Sequence, residues 1–427
     1  MPLNQRSHFN ASTPSSVSAL QERDGIGFGW QSVVYLLVLA ALFTRRPDMF
    51  LHAQFYAEDG KYWYAQAYNL GWVRALGIPL GGYLNILSRL VGALSLLVPF
   101  RDAPLVMNLA GVVIQALPVM ALLSARCRTW GSLPLRMVMA AIYVAIPNAW
   151  EVHVVLTNAH WHLFVLEMLI AFGVPPRGWL GRVGDVVLFA VGGVSDPFCI
   201  LLLPLVLFYW WRTRERWTLV IAAITGCGAV VQLFTIMRSV RPSNGPLGAT
   251  PGLLLRFLAG DIVVDSMTGL RSVVERIPVP ALVAILIFAM LIVGYGFFRG
   301  KLAFRLYIVF AGALLVTALR NPLIDGPHPL WQMLLDDFGC RYWYYPMLAF
   351  LWSAAWCIFH GRSRVVRLAG YCVLIPMLFG VVKDWRYRTP ADYHFGVYVE
   401  RFARERAGDH LVIPLNPYPL SMELVKK

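Results

Sequence analysis

Two adjacent carboxylates, Glu58 and Asp59, sit inside an aromatic run, Phe55-Tyr-Ala-Glu-Asp-Gly-Lys-Tyr-Trp-Tyr64, just after the first apolar segment. Only 14% of the 427 residues are charged. A paired acid at a membrane boundary therefore needs a reason, and acids at such depths commonly mark a substrate or ion path. Neighbouring residues do not share a helix face, so the two acids should have separate jobs. One suits a general base and the other a holder of a loop or an arginine; an ordinary pair of loop acids fits the same residues. Tyr56, Tyr62, Trp63 and Tyr64 suit an interfacial aromatic belt and would also stack on a sugar ring.

A second cluster is Glu151-Val-His153 followed by Thr157-Asn158-Ala-His160-Trp161-His162. Asn158 and His162 are spaced i, i+4 and share a helix face, whereas His160 and His162 do not. The spacing is not that of a HExxH zinc site, and the convergence of hydrogen-bonding groups points to a substrate contact. Asp196 precedes Pro197 and suits a helix N-cap, with any functional role additional. Arg341, in Asp336-Asp337-Phe-Gly-Cys-Arg341-Tyr-Trp-Tyr-Tyr345-Pro346, is placed either to grip a phosphate bidentately or to snorkel to the interface. Arg238 and Arg241 offer the same choice. Glu167 lies deeper in its segment and is expected to face the bundle.

These residues must be carried by a helical membrane scaffold. The chain is 58% hydrophobic with a mean hydropathy of +0.60. Eleven apolar segments approach the length needed to cross a bilayer. They are Trp30–Thr44, Ala103–Ala125, Leu135–Pro147, Leu156–Val174, Val183–Val194, Pro197–Trp211, Trp217–Met237, Pro280–Phe298, Ala303–Leu319, Tyr342–His360 and Arg367–Val382. Continuous rather than alternating apolar runs exclude a closed barrel. The expected fold is all-α and polytopic.

Basic clusters at Arg126/Arg128/Arg136, Arg177/Arg182, Arg212/Arg214/Arg216, Arg299/Lys301/Arg305 and Arg362/Arg364/Arg367 account for most of the net charge of +14. If all are cytoplasmic, the chain must break at Ser195-Asp196-Pro197, where proline disfavours helix before it. Tyr83–Phe100 then becomes an interfacial or re-entrant helix in a long outer loop, the alternative being a twelfth crossing with inverted orientation upstream. Residues 1–27 read as a disordered cytoplasmic N-terminus, 28–382 as the transmembrane module, and 383–427 as a small outer appendage. That appendage has a helical pattern around Tyr393–Arg406 and a strand-like run, His410–Asn416.

The six cysteines are scattered without CxxC spacing, so neither zinc nor a disulfide framework is indicated. No basic run with interleaved aromatics suggests nucleic acid. There is no Walker A motif, dinucleotide fingerprint or GxSxG elbow, which argues against an ATP-driven pump, a redox enzyme or a serine hydrolase.

With these residues assembled, the chain resembles the GT-C superfamily of integral-membrane glycosyltransferases, relatives of protein O-mannosyltransferases and of the aminoarabinose transferase acting on lipid A. The resemblance rests on Glu58-Asp59 in the first outer loop, on Lys61–Leu70 and Tyr83–Phe100 as juxtamembrane helices, on the split hairpin Gly193–Phe198, and on Arg341-Tyr342 with Pro346. It implies a polyprenyl-phosphate-linked sugar as donor, a hydroxyl of a glycan, lipid or protein as acceptor, and no cofactor or obligatory metal. Asp59 or Glu58 would be the base. Arg341, with Lys61 or Arg238, would stabilise the phosphate. Tyr62, Trp63, Trp161 and His162 would shape the sugar pocket, with Asn158, His160, Asp196 and Tyr342 as further contacts. The expected location is a bacterial inner membrane with the site facing the periplasm. The sequence departs from the family in its Glu-Asp order and in lacking a large outer domain. A lipid-linked glycan transporter or flippase, and a surface-polysaccharide polymerase or ligase, are the rival readings.

Overall fold

The computed structural model describes residues 24–239, 245–270, 274–324, 328–335 and 339–427, with Phe28 described by its backbone alone. The expectations resting on residues 1–23, on Arg241 and on the acids at 336–337 lie outside the described residues. The protein is mostly helical, at 72%. The helices that matter are α1 (Phe28–Arg45), α2 (Ile86–Leu94), α3 (Ala103–Leu123), α4 (Leu133–Ala145), α5 (Ala159–Ala171), α6 (Trp179–Gly193), α7 (Phe198–Thr213), α8 (Arg216–Arg238), α9 (Val279–Arg299), α10 (Leu302–Arg320), α11 (Cys340–His360), α12 (Arg364–Asp384) and α13 (Phe395–Arg404). Strands β1 (His410–Pro414) and β2 (Ser421–Val425) form an antiparallel hairpin, with His410 opposite Val425.

Five of these helices, α3, α8, α9, α10 and α12, are long and apolar enough to cross a bilayer. Helix α11 has the length, but its Tyr and Trp residues lower its hydropathy. It lies instead at the centre, packed against α4, α9, α10 and α12, and is buried from Met347 to Cys357. A helix covered all round needs no lipid-facing stripe. Helix α12 is the opposite case: Leu368, Ile375, Leu378, Phe379 and Val382 form an exposed apolar row. Helices α6 and α8 cross closely because both contribute glycine. A Cβ on Gly228 would lie 2.7 Å from Gly193 Cα, and small residues allow such backbone approach.

The chain breaks between α6 and α7. Asp196 Oδ1 accepts a hydrogen bond from the Phe198 N–H at 3.0 Å, which satisfies one of the open donors of α7. Helix α2 has nine residues, about 14 Å of helix at 1.5 Å per residue, too short to cross. It lies against the acid turn, where a Cβ on Gly92 would sit 2.7 Å from the Trp63 carbonyl oxygen.

The basic clusters meet at one end of the bundle. Arg126 forms a two-pronged pair with Asp185 at 2.8 and 2.7 Å, and Trp217 donates to the same carboxylate at 2.9 Å. Lys301 donates to the Arg128 carbonyl at 2.8 Å. Arg136 donates to the carbonyls of Leu122, Ser124 and Asp24. The acid turn, Glu151, Asp196 and Arg341 gather at the opposite end.

The segment after Lys383 is not a free appendage. Phe395, Phe402, Leu411, Ile413, Leu415, Met422 and Leu424 share one apolar core with Phe55, Trp63 and Tyr64 of the acid turn. The strands alternate, presenting Leu411, Ile413, Met422 and Leu424 to that core.

Arg45 fastens the same end of the bundle. It is 1% exposed and donates to the carbonyls of Val144 (2.7 Å), Ile146 (3.0 Å), Asp384 and Trp385, and to the Tyr387 hydroxyl. A buried acceptor left without a donor costs about 1–3 kcal/mol. Arg45→Met should therefore lower the melting temperature of the detergent-solubilised protein by more than Arg45→Lys does; equal melting of all three proteins would contradict this role.

Candidate functional site

The acid pair divides its labour. Asp59 opens a π-helical turn, Asp59–Tyr64, a form of helix often found at functional sites. It is 1% exposed, and its Oδ1 accepts from the Thr157 N–H at 2.8 Å. Its Oδ2 is buried with no hydrogen-bond partner. Burial pushes the Asp59 carboxyl up to about 7; the charge of Glu58 adds to the rise and the hydrogen bonds from Thr157 oppose it. Trp63 Nε1 donates to Thr157 Oγ1 at 3.0 Å, so the turn and the Thr157 loop are stitched twice. Glu58 is only half-buried and belongs to a different neighbourhood.

That neighbourhood centres on the Tyr83 hydroxyl. Burial is the main cause that pushes its pKa up, the charges of Asp196, Tyr342 and Glu58 push it further, and the Arg341 guanidinium opposes them. Charged or polar groups from three other chain regions, at positions 58, 196 and 341–342, thus act on one oxygen. Asp196 Oδ2 meets His160 Nε2 at 3.1 Å. Arg341 forms an ion pair with Glu151, and Glu151 Oε2 also accepts from the Arg341 backbone N–H at 2.9 Å. The other edge of the guanidinium donates to the Leu323 carbonyl at 2.8 Å and to the Tyr342 hydroxyl at 3.3 Å. Its carbon lies 4.7 Å from the Tyr342 ring centre.

The shared face of Asn158 and His162 serves to hold Glu151. Asn158 Nδ2 donates to the Glu151 carbonyl at 2.7 Å. His162 Nε2 lies 2.7 Å from the Val152 carbonyl, one residue on. Its Nδ1 meets the hydroxyls of Tyr143 (2.7 Å) and Tyr344 (3.2 Å). With both ring nitrogens engaged and only 1% exposure, His162 does not wall a sugar pocket as the sequence suggested. Trp63 is likewise enclosed, with Thr157 on its indole nitrogen and the Arg89 guanidinium 4.8 Å from its ring centre.

Trp161 is buried below Tyr342, their ring centres 6.2 Å apart. Tyr62 and Lys61 remain half-buried beside Glu58, with Lys61 Nζ 5.3 Å from the Tyr62 ring centre. Arg238 stands apart: it is exposed, with its guanidinium over Phe234 at 3.9 Å. Tyr83 and the pairing of Glu151 with Arg341 escaped the sequence reading. A lone tyrosine carries no local signal, and 190 residues separate the paired ions.

A cavity of about 130 Å³ opens beside the acid turn, lined by Asp48, His52, Gln54, Tyr56, Asp392 and Asn416 among others. Tyr56 lines it, with the Arg46 guanidinium 5.1 Å from its ring centre. Among the described residues no group of three or more His, Cys, Asp or Glu is arranged to hold a metal ion.

No protein-family model matches the chain, and no curated protein or solved structure matches it.

The raised Asp59 pKa has a signed consequence. An unfolded aspartate titrates near 3.9. Between about pH 4 and 7 the native state therefore holds a proton that the unfolded state has lost, so stability falls as pH rises through that window and levels off above it. Asp59→Asn should be the more stable protein, relative to wild type, at pH 8, with the difference vanishing toward pH 4. Parallel melting curves for the two proteins across this range would show that Asp59 is not buried as described.

Proposed function

We propose that this protein is a membrane glycosyltransferase of the GT-C kind. It transfers a sugar from a polyprenyl-phosphate donor to a hydroxyl of a cell-surface glycan, lipid or protein. The observation that carries the reading is Arg341, held by Glu151 with one guanidinium edge left on the neutral acceptors Leu323 and Tyr342, at the end of the bundle that also holds the half-buried carboxylate Glu58. An acyl or redox reaction would call for a different set of groups. A carboxylate and an arginine at one end of the bundle suit displacement of a phosphate by an alcohol.

In this mechanism Glu58 accepts the proton of the acceptor hydroxyl. The freed oxygen attacks the anomeric carbon, the bond from that carbon to the phosphate oxygen breaks, and the electron pair leaves on the lipid phosphate, with inversion. Arg341 meets the growing charge through the edge now bonded to Leu323 and Tyr342. Glu151 keeps the guanidinium aimed. Asp59, tied to Thr157, holds the turn rather than the acceptor, which favours Glu58 as the base. Asp196, 3.1 Å from His160, adds negative charge near the Tyr83 hydroxyl. The eleven apolar segments cross the membrane, with the basic end cytoplasmic and the reactive end on the periplasmic side of a bacterial inner membrane.

Purified protein in liposomes, offered labelled polyprenyl-phosphate sugars and acceptor extracts, tests the chemistry. Glu58→Gln and Arg341→Gln should each lower transfer about 100-fold or more, the range expected for a lost base or oxyanion partner. Asp59→Asn should stay within about 10-fold of wild type. Transfer at the wild-type rate by Glu58→Gln would remove the mechanism. Sidedness is checked separately with an impermeant maleimide on intact cells, in a background lacking Cys227 and Cys372. A cysteine at 392 should react and one at 362 should not, and the reverse pattern would invert the orientation.

A further inference from the structure

The turn that carries the two acids is held in a costly shape. Ala57, directly before Glu58, has φ +43°, a left-handed conformation that residues with a Cβ rarely adopt. Such strain persists only where the surroundings over-determine it, and here they come from the hairpin. The Ala57 N–H donates to the Asn416 carbonyl at 2.6 Å, and Tyr56 and Asn416 form an isolated parallel bridge. The Asn416 side chain is itself locked: its Oδ1 accepts from the Ala391 N–H at 3.0 Å and its Nδ2 donates to the Ala391 carbonyl at 2.8 Å. Gln54 bonds the same stretch, accepting from the Tyr393 N–H at 2.9 Å.

Leu415 closes the other side. It lies directly on Gly60, where a Cβ would sit 2.9 Å from Leu415 Cδ2 and 2.8 Å from Phe55 Cβ. Only glycine lets the leucine settle on the turn. Two more bonds join the hairpin to the helix after the turn. Asn69 Nδ2 donates to the Glu423 carbonyl at 2.9 Å, and Asn69 Oδ1 accepts from the Val425 N–H at 3.0 Å.

We propose that the hairpin after α13 is a clamp on the acid turn, and that Asn416 and Leu415 are positioning residues that aim Glu58 at the Tyr83–Arg341 cluster. Releasing the clamp lets Ala57 relax to negative φ. That rotates the following peptide and swings Glu58 away while Asp59 remains tied to Thr157. The catalytic consequence rests on the transferase reading above; the clamp itself does not.

The test compares wild type, Leu415→Ala, Asn416→Ala and the double variant Ala57→Gly/Asn416→Ala, all as full chains in detergent. Hydrogen exchange of the peptide covering residues 53–64 is read by mass spectrometry, together with transfer kinetics. The two single variants should exchange faster in 53–64 and leave α3 and α11 unchanged. Turnover should fall about 10-fold or more, with donor KM within about 3-fold, because a small misplacement of a reacting group lowers rate rather than binding. Glycine at 57 adopts positive φ without penalty, so the double variant should regain turnover over Asn416→Ala alone. A purely structural role would give no such rescue. Unchanged exchange in 53–64 would overturn the clamp; wild-type turnover in both single variants, or absence of rescue, would overturn the positioning of Glu58. If wild type itself transfers no sugar, the transferase reading fails, and the exchange of 53–64 in the four proteins still decides whether the hairpin holds the turn.

Discussion

Arg341 stands at the head of α11, which is buried from Met347 to Cys357, and it can do so only because Glu151 meets it. An unpaired ion in such surroundings costs several kcal/mol. The pairing therefore constrains everything that brings the two together: the short turn at Trp150–Val152, the carbonyl anchors supplied by Asn158 and His162, and the entry of α11 into the bundle. Tyr143 and Tyr344, which hold His162, belong to α4 and α11, so the ion pair is braced by helices on both sides. The cationic edge left over faces neutral acceptors, Leu323 and Tyr342, where an incoming anion would compete on favourable terms.

A second constraint acts on the acid turn. Two neighbouring carboxylates in one turn cannot point the same way. Here the difference in surroundings separates them chemically as well: Asp59 is buried beside Thr157 with its pKa raised, while Glu58 is half-buried. The turn is shaped from outside itself. The core it shares with the hairpin is small and aromatic, with Phe55, Tyr64, Phe100, Phe395 and Phe402 in mutual contact. A segment too short for an independent core has found one by joining the first loop.

Much of this scaffold was legible in the chain. Each of the eleven apolar segments contains a helix, because hydropathy, basic flanks and proline act locally. The break before Pro197 and the strand at His410 are of the same kind, written in a few consecutive residues. The candidate site was legible only as a list. Arg341 and Tyr342 share the Leu323 carbonyl and Asp196 meets His160, whereas Trp63 and His162 are enclosed and Arg238 stands apart on Phe234. Residue type does not reveal which face of a buried helix a side chain takes when nearly every face is apolar.

Order and composition alone settled that this chain is helical, lipid-compatible and basic at recurring junctions, since each of those properties is a sum over neighbouring residues. They could not settle that Glu151 belongs to Arg341, that Thr157 holds Asp59, or that residue 416 holds residue 57. Those contacts join positions from 98 to more than 300 residues apart. They exist because a low-dielectric interior penalises every unmatched charge and backbone group, and only the folded arrangement determines which distant partner comes within reach.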